Sequence, residues 1–209
     1  MGEIISVVSL KGGCGKSTIC INTAGALCKQ HKFLLKDVDP QETIKDWHRA
    51  RIENNIINNN LFIESGTLAD IKKQALKYEF TFIDTPPEDD QLMRSALVVS
   101  SYCIIPITPS PYDMRSAFKT IKTITEGRRA GIINVKPYIL ISRKVKNTNL
   151  GMGIREALEV FKLPICKTEI SNRIVLAEAG ISGKTIQEYE PASQSAKEFN
   201  QLAKEIEKW

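Results

Sequence analysis

The sequence predicts a single doubly wound α/β domain spanning residues 1–209, with one mostly parallel sheet and helices on both of its faces. Three observations lead there. Short β-branched apolar runs alternate with helix-like segments along the whole chain. The runs are continuously apolar, which marks strands buried on both sides. The first run feeds a glycine-rich loop that opens straight into a helix, the order expected where a sheet of this class presents a ligand at the carboxyl ends of its strands.

Taken in order, strands are expected at residues 4–10, 33–38, 61–63, 80–83, 102–107, 138–141 and 164–166. Helices are expected at 16–30, 41–54, 68–78, 90–100, 114–129 and 150–161, with a last one at 193–208. In that last segment Phe199, Leu202, Ala203 and Ile206 recur at helical spacing, as in a helix that packs on the sheet. The Asn-rich stretch 54–60 reads as a loop. No uninterrupted apolar stretch is long enough to span a membrane, since the longest candidate, 96–107, is broken by Ser100, Ser101 and Pro106.

Composition bounds the function. With 42% hydrophobic and 25% charged residues the chain is globular in character rather than disordered. The formal net charge of +5 is unevenly placed. Residues 1–100 carry 12 Lys+Arg against 13 Asp+Glu, whereas residues 101–209 carry 17 against 11. Residues 119–146 hold eight basic side chains (Lys119, Lys122, Arg128, Arg129, Lys136, Arg143, Lys144, Lys146) and one acid, Glu126. Such a field suits an anionic polymer or surface; its plain alternative is a solvated basic face. The five cysteines include no C-x-x-C pair, which suits small core residues in a reducing cytosol better than disulfides or structural zinc.

The glycine-rich loop is Lys11-Gly12-Gly13-Cys14-Gly15-Lys16-Ser17-Thr18. Glycines let a backbone wrap with its N–H groups pointing inward, so that they cradle phosphate oxygens at a helix N-terminus. Lys16 is placed to reach the β- and γ-phosphates, and Ser17 to put its hydroxyl on magnesium. The usual first glycine of such a loop is Leu10 here, and an extra lysine, Lys11, stands inside it. Cys14 requires only a small side chain; the alternative is a reactive thiol at a helix N-terminus among lysines.

The pattern K-G-G-x-G-K-[ST] resembles the deviant Walker A loop of the ParA/MinD ATPases, a P-loop NTPase fold. The resemblance implies ATP and Mg2+ as cofactors and a role for Lys11 across a nucleotide-sandwich homodimer, on the partner subunit's phosphates. Two further stretches fit. Asp37-Val38-Asp39-Pro40-Gln41 looks like the D-x-D-P-Q box of ParA proteins, which implies that Asp39 positions the attacking water and Asp37 supports the magnesium shell. The run 80–87 reads as a Walker B strand whose Asp84 holds magnesium through water. Phosphoryl transfer asks for little more from a protein than positioning and charge. Arg143, at the end of the sixth strand, is near where the family holds adenine, and residues 106–111 resemble the proline-rich loop of small partition ATPases.

The likeness extends through the C-terminal third and is closest to short ParA proteins without an N-terminal helix-turn-helix domain. It implies an ATP-dependent dimer that binds double-stranded DNA non-specifically, is stimulated by a centromere-binding ParB-like protein, and moves plasmid or chromosome cargo in the cytoplasm on the nucleoid. Larger relatives carry Pro-Arg-Asn-x-Arg near the tail; the matching stretch here is Ser171-Asn172-Arg173-Ile174-Val175, so only Arg173 is a candidate for their DNA contacts. Three other classes compete, one of them a non-hydrolysing nucleotide-binding scaffold, against which Asp39 and Lys11 both argue. A MinD-like membrane-positioning ATPase needs a C-terminal amphipathic helix with a basic face, and here Lys197, Lys204 and Lys208 are balanced by Glu198, Glu205 and Glu207. An iron–sulfur carrier needs paired cysteines, and none are spaced for it.

Overall fold

Strand after strand, the apolar runs pair into one sheet, and the amphipathic segments between them cover it. The computed structural model describes residues 2–209. The elements are β1 (Glu3–Val7), α1 (Lys16–Leu27), β2 (Phe33–Asp37), α2 (Thr43–Glu53), β3 (Leu61–Ser65), α3 (Ile71–Ala75), β4 (Phe80–Asp84) and α4 (Asp90–Val99). They continue with β5 (Tyr102–Ile107), α5 (Pro111–Arg129), β6 (Lys136–Lys144), α6 (Asn149–Leu158), β7 (Ile165–Ser171), α7 (Val175–Ile181), α8 (Ile186–Tyr189) and α9 (Gln194–Ile206). The seven strands lie in the order β3-β2-β4-β1-β5-β6-β7 and every pairing is parallel, so the expected sheet is all-parallel rather than mostly so.

That order puts β1 at the centre, with β2, β3 and β4 on one side of it and β5, β6 and β7 on the other, so the chain changes side once, from β4 to β5. Its carboxyl end is therefore the switch point at which such folds bind ligands. In-register pairing aligns Val7 with Asp84 and Asp84 with Asp37, which brings the ends of β1, β4 and β2 together. One sheet face packs under α1, α8 and α9 around Phe33, Phe82 and Phe199, all fully buried. The other packs under α5 and α6 on one side and α3 and α4 on the other. Burying each such aromatic is worth about 1.5–3 kcal/mol, so the strand ends rest on a stiff platform.

Helix α1 is buried on most of its surface because it lies between the sheet and α8 and α9. Gly25 permits that approach, since a Cβ there would meet Thr185 Cβ at 2.5 Å and Gln187 Oε1 at 2.7 Å. Asn22 joins the same contact, its Oδ1 accepting the Ile186 N–H at 2.6 Å. In α9, Phe199, Leu202, Ala203 and Ile206 are buried on the sheet as the spacing predicts. No helix among the described residues is long and apolar enough to cross a membrane.

Several expected bounds need correction: α3 covers only Ile71–Ala75 of the expected 68–78, and β6 runs Lys136–Lys144 in place of 138–141. Strand β1 ends at Val7, because Val8, Ser9 and Leu10 already belong to the bend of the loop. Strand β7 runs on to Ser171, and α9 supports it: Glu205 accepts the N–H groups of Lys167 and Thr168, and Glu198 that of Ser171. Helices α7 and α8 were not expected. The signal for α8 is legible in Thr185-Ile186-Gln187-Glu188, a capping box in which Glu188 accepts the Thr185 N–H at 2.8 Å.

Candidate nucleotide site

The loop between β1 and α1 is shaped by glycine. Gly13 and Gly15 have φ of 75° and 92°, the left-handed region that a side chain disfavours. Gly15 directly precedes the helix, so α1 starts with no side-chain cap and its first N–H groups are left to an anion. Behind the loop, Ser142 Oγ donates to the Cys14 carbonyl at 2.9 Å and Arg143 Nη1 to the Gly13 carbonyl at 2.6 Å. Two carbonyls of the loop are thereby turned outward onto β6.

Lys16 is buried at 6% exposure and its ammonium reaches only the Lys11 carbonyl, at 3.3 Å. A charge held there in the mouth of a phosphate loop is poised for an anion. Lys11 points elsewhere: its ammonium is paired with Asp113 in the first turn of α5. The sequence pattern does not single out Asp113 or Ser142. Asp113 stands where a functional residue would be sought, just past a strand's carboxyl end, but one acid after prolines gives no signal by itself.

Three carboxylates cluster at the neighbouring strand ends, and their environments differ. Asp84 is fully buried, neither oxygen has a hydrogen-bond partner among the described residues, and burial pushes its carboxyl up to about 7. The Ser17 hydroxyl and Lys16 pull the other way, while Asp37 and Asp39 reinforce the rise. Asp37 is raised by burial, opposed by the N–H groups of Asp39 and Lys45 that its two oxygens accept at 3.0 and 3.3 Å. Asp39 accepts the Gln41 N–H at 2.9 Å with one oxygen. The loop thus uses Asp37 to hold its own turn and leaves Asp84 as the carboxylate with neither oxygen hydrogen-bonded.

Magnesium fits this arrangement. No group of three or more His, Cys, Asp or Glu among the described residues could hold an ion alone. Magnesium keeps several waters and is shared with substrate phosphates, so one or two carboxylates and a hydroxyl suffice. Asp84 and Ser17 are the carboxylate and hydroxyl that would supply them. All five cysteines are buried and none forms a disulfide. Beside the loop a cleft of about 390 Å³ opens between the ends of β5 and β6, lined by Gly13, Pro109, Arg143, Val145, Leu150 and Asn172 among others. Arg143 therefore lies in the wall of a cavity that adjoins the phosphate loop, and the proline-rich segment forms part of the same wall.

The sequence profile of the CbiA family, the CobQ/CobB/MinD/ParA nucleotide binding domain, matches residues 5–186. The chain belongs to this family. Among its relatives, the maintenance of carboxysome distribution protein A of Halothiobacillus neapolitanus is 24% identical, over 97% of this chain and 95% of that one. The sporulation initiation inhibitor protein Soj of Bacillus subtilis is 28% identical, over 99% of this chain and 98% of the relative. Among solved structures, a plasmid partition protein of Borrelia burgdorferi bound to AMPPNP superposes with a TM-score of 0.77 at 23% identity, covering 100% of this chain and 99% of that one. The likeness to that structure shows the CbiA-family fold.

Folding divides the basic stretch that looks continuous in sequence. Lys136 begins β6 and Lys144 ends it, so they lie at opposite poles of the sheet. Arg143 is committed to the loop and Lys144 to Glu169 at 2.6 Å. Arg173, the one candidate for a tail DNA contact, is held in a fork by Glu198 at 2.8 and 2.9 Å and ties β7 to α9. Of the field, the exposed cations of α5 remain together on one element, while Lys136 and Lys146 are exposed apart from them.

Proposed function

We propose that this chain is a magnesium-dependent ATPase that forms an ATP-sandwich homodimer, binds double-stranded DNA without sequence preference, and partitions plasmid or chromosome cargo with a centromere-binding ParB-like partner. The observation that carries the ATPase reading is Asp84, a fully buried carboxylate with neither oxygen satisfied, at the in-register end of the strand beside the phosphate loop. A bound magnesium nucleotide would supply the scissile anhydride and a divalent cation for the unsatisfied oxygens of Asp84.

The chain's own residues divide the remaining work. Lys16 and the N–H groups of the loop bind and orient phosphate, Ser17 and Asp84 hold the ion's hydration shell, and Asp37 fixes the turn that presents Asp39. Asp39 keeps one oxygen uncommitted to hold an attacking water. Arg143 and the cleft beside the loop receive the base. Lys11 is not used by its own loop, which is what a residue meant for a second subunit requires. The partition reading is supported by the likeness to the plasmid partition protein of Borrelia burgdorferi; the relative from Halothiobacillus neapolitanus is named for carboxysome distribution instead. Membrane positioning through α9 is disfavoured by the burial of its apolar face in the core.

The test is turnover of ATP by purified protein, alone and with duplex DNA and the partner. Removing a water-positioning carboxylate lowers the rate without loosening substrate. Asp39→Ala should slow hydrolysis at least about 100-fold while nucleotide affinity stays within a few-fold of the parent. A variant that hydrolyses at the parental rate would remove Asp39 from the mechanism.

A further inference from the structure

We propose that the outward face of α5 is the surface that lies along duplex DNA; this rests on the DNA-binding reading above and names the site for it. The helix is 19 residues long. Arg115, Lys119, Lys122 and Arg129 recur at steps of four, three and seven along it, all exposed, so they stand on one stripe. From the first to the last the stripe is about 21 Å long, at 1.5 Å per residue. About six base pairs of duplex, at 3.4 Å each, match that length.

What separates this stripe is its alignment along one long helix with little acid beside it. Exposed lysines elsewhere, Lys72, Lys73 and Lys77 around α3 among them, are also without ion pairs among the described residues but are not strung along such a helix. On α2, Lys45 and Arg49 are each paired with an acid three residues earlier, Glu42 and Asp46. On α4, Arg94 is paired with Asp90. On α5, Arg115, Lys119 and Arg129 have no acidic partner among the described residues, and Lys122 meets only Glu126, at a loose 3.7 Å. The dipole at the end of the helix accounts for Arg129 in part, but not for Arg115 and Lys119 in its first half. Two aromatic side chains flank the cations, Tyr112 at 76% and Phe118 at 62% exposure. Unpaired cations along a straight rod address phosphates rather than base edges, as sequence-independent binding requires. The same helix carries Asp113, the partner of Lys11, in its first turn, so its start is tied to the loop that senses nucleotide.

The experiment is anisotropy titration of unrelated fluorescent duplexes across a salt series, with ATP and magnesium present. The triple variant Arg115→Ala/Lys119→Ala/Lys122→Ala should bind all duplexes more weakly and lower the slope of log K against log salt by about 3 per subunit, at roughly 0.9 for each phosphate that is no longer neutralised. A charge-matched control, Lys72→Ala/Lys73→Ala/Lys77→Ala around α3, should keep the parental slope. Glu126→Lys places a fifth cation in the stripe and should tighten binding with a steeper slope, an effect that misfolding does not produce. An unchanged slope in the α5 variant, or equal losses in the α3 control, would overturn the assignment while DNA binding itself survived. Parental protein that binds no duplex at low salt would overturn both. Binding to anionic vesicles through the same residues, with none to DNA, would assign the stripe to a membrane and sink the proposal.

Discussion

Asp84 and Lys16 are both kept from water, Asp84 with neither oxygen hydrogen-bonded and Lys16 with only the Lys11 carbonyl to donate to. For Asp84 that has a sign. Its carboxyl is raised to about 7, so between the ordinary carboxylate range and pH 7 the folded chain holds a proton that the unfolded chain has released. Stability without nucleotide should therefore fall as pH rises from about 4 to about 7. The full effect is on the order of 4 kcal/mol, an upper bound because water enters an open loop. Asp84→Asn should flatten this dependence and raise the melting temperature of the empty protein at pH 7.5, while abolishing magnesium-dependent nucleotide binding. Thermal melts at a series of pH values check it. An Asn variant that melts below the parent at pH 7.5 would mean that the carboxylate has a partner in solution.

At the scale of elements, the chain is held together by close approaches that single residues permit. Gly25 lets α1 touch the start of α8. Gly25→Ala should destabilise by about 1–3 kcal/mol through overpacking, read as a shift in the midpoint of urea unfolding. A neutral outcome would show that α8 yields. At the opposite pole His31 joins three segments: its Nδ1 meets Glu79 at 2.9 Å, and its Nε2 meets Glu207, at the end of α9, at 3.1 Å. Partial burial lowers the imidazole's pKa, but the two carboxylates outweigh it and hold it above its ordinary value. Both ring nitrogens can donate only when the ring is charged. The contribution is thus fully present below pH 6.5 and lost as pH rises through the raised folded value. Glu79, held below its usual range chiefly by His31, sets the acid limit, below which the clamp is lost again. Proton NMR titration should place His31 above 6.5, and His31→Gln should remove the alkaline step in stability. A titration at or below 6.5 would contradict the clamp.

Across the whole molecule, the fold and the phosphate loop were legible because each rests on local pattern. Seven apolar runs became seven strands, and the three glycines of the loop took up a bend that leaves the start of α1 uncapped. What stayed hidden was set by contacts between distant segments. Asp113 acquires meaning only when β5 ends beside Lys11, and Ser142 only when β6 passes behind the loop. The basic stretch misled for the same reason, because continuity in sequence placed Lys136 and Lys144 at opposite ends of one strand. The tail helices α7 and α8 are short, and their stability comes from Arg51, Trp47 and Asn22 on other elements, which no local reading registers.

The central claim is that nucleotide makes two of these chains one, with Lys11 leaving Asp113 for the partner's phosphates. Multi-angle light scattering measures it directly, on the parent and on Lys11→Ala, with and without magnesium and a non-hydrolysable ATP analogue. The parent should double its mass only when nucleotide and magnesium are present, and Lys11→Ala should bind the analogue yet keep the mass of one chain. A parent whose mass is the same with and without nucleotide, or a Lys11→Ala variant that dimerises like the parent, would contradict the account.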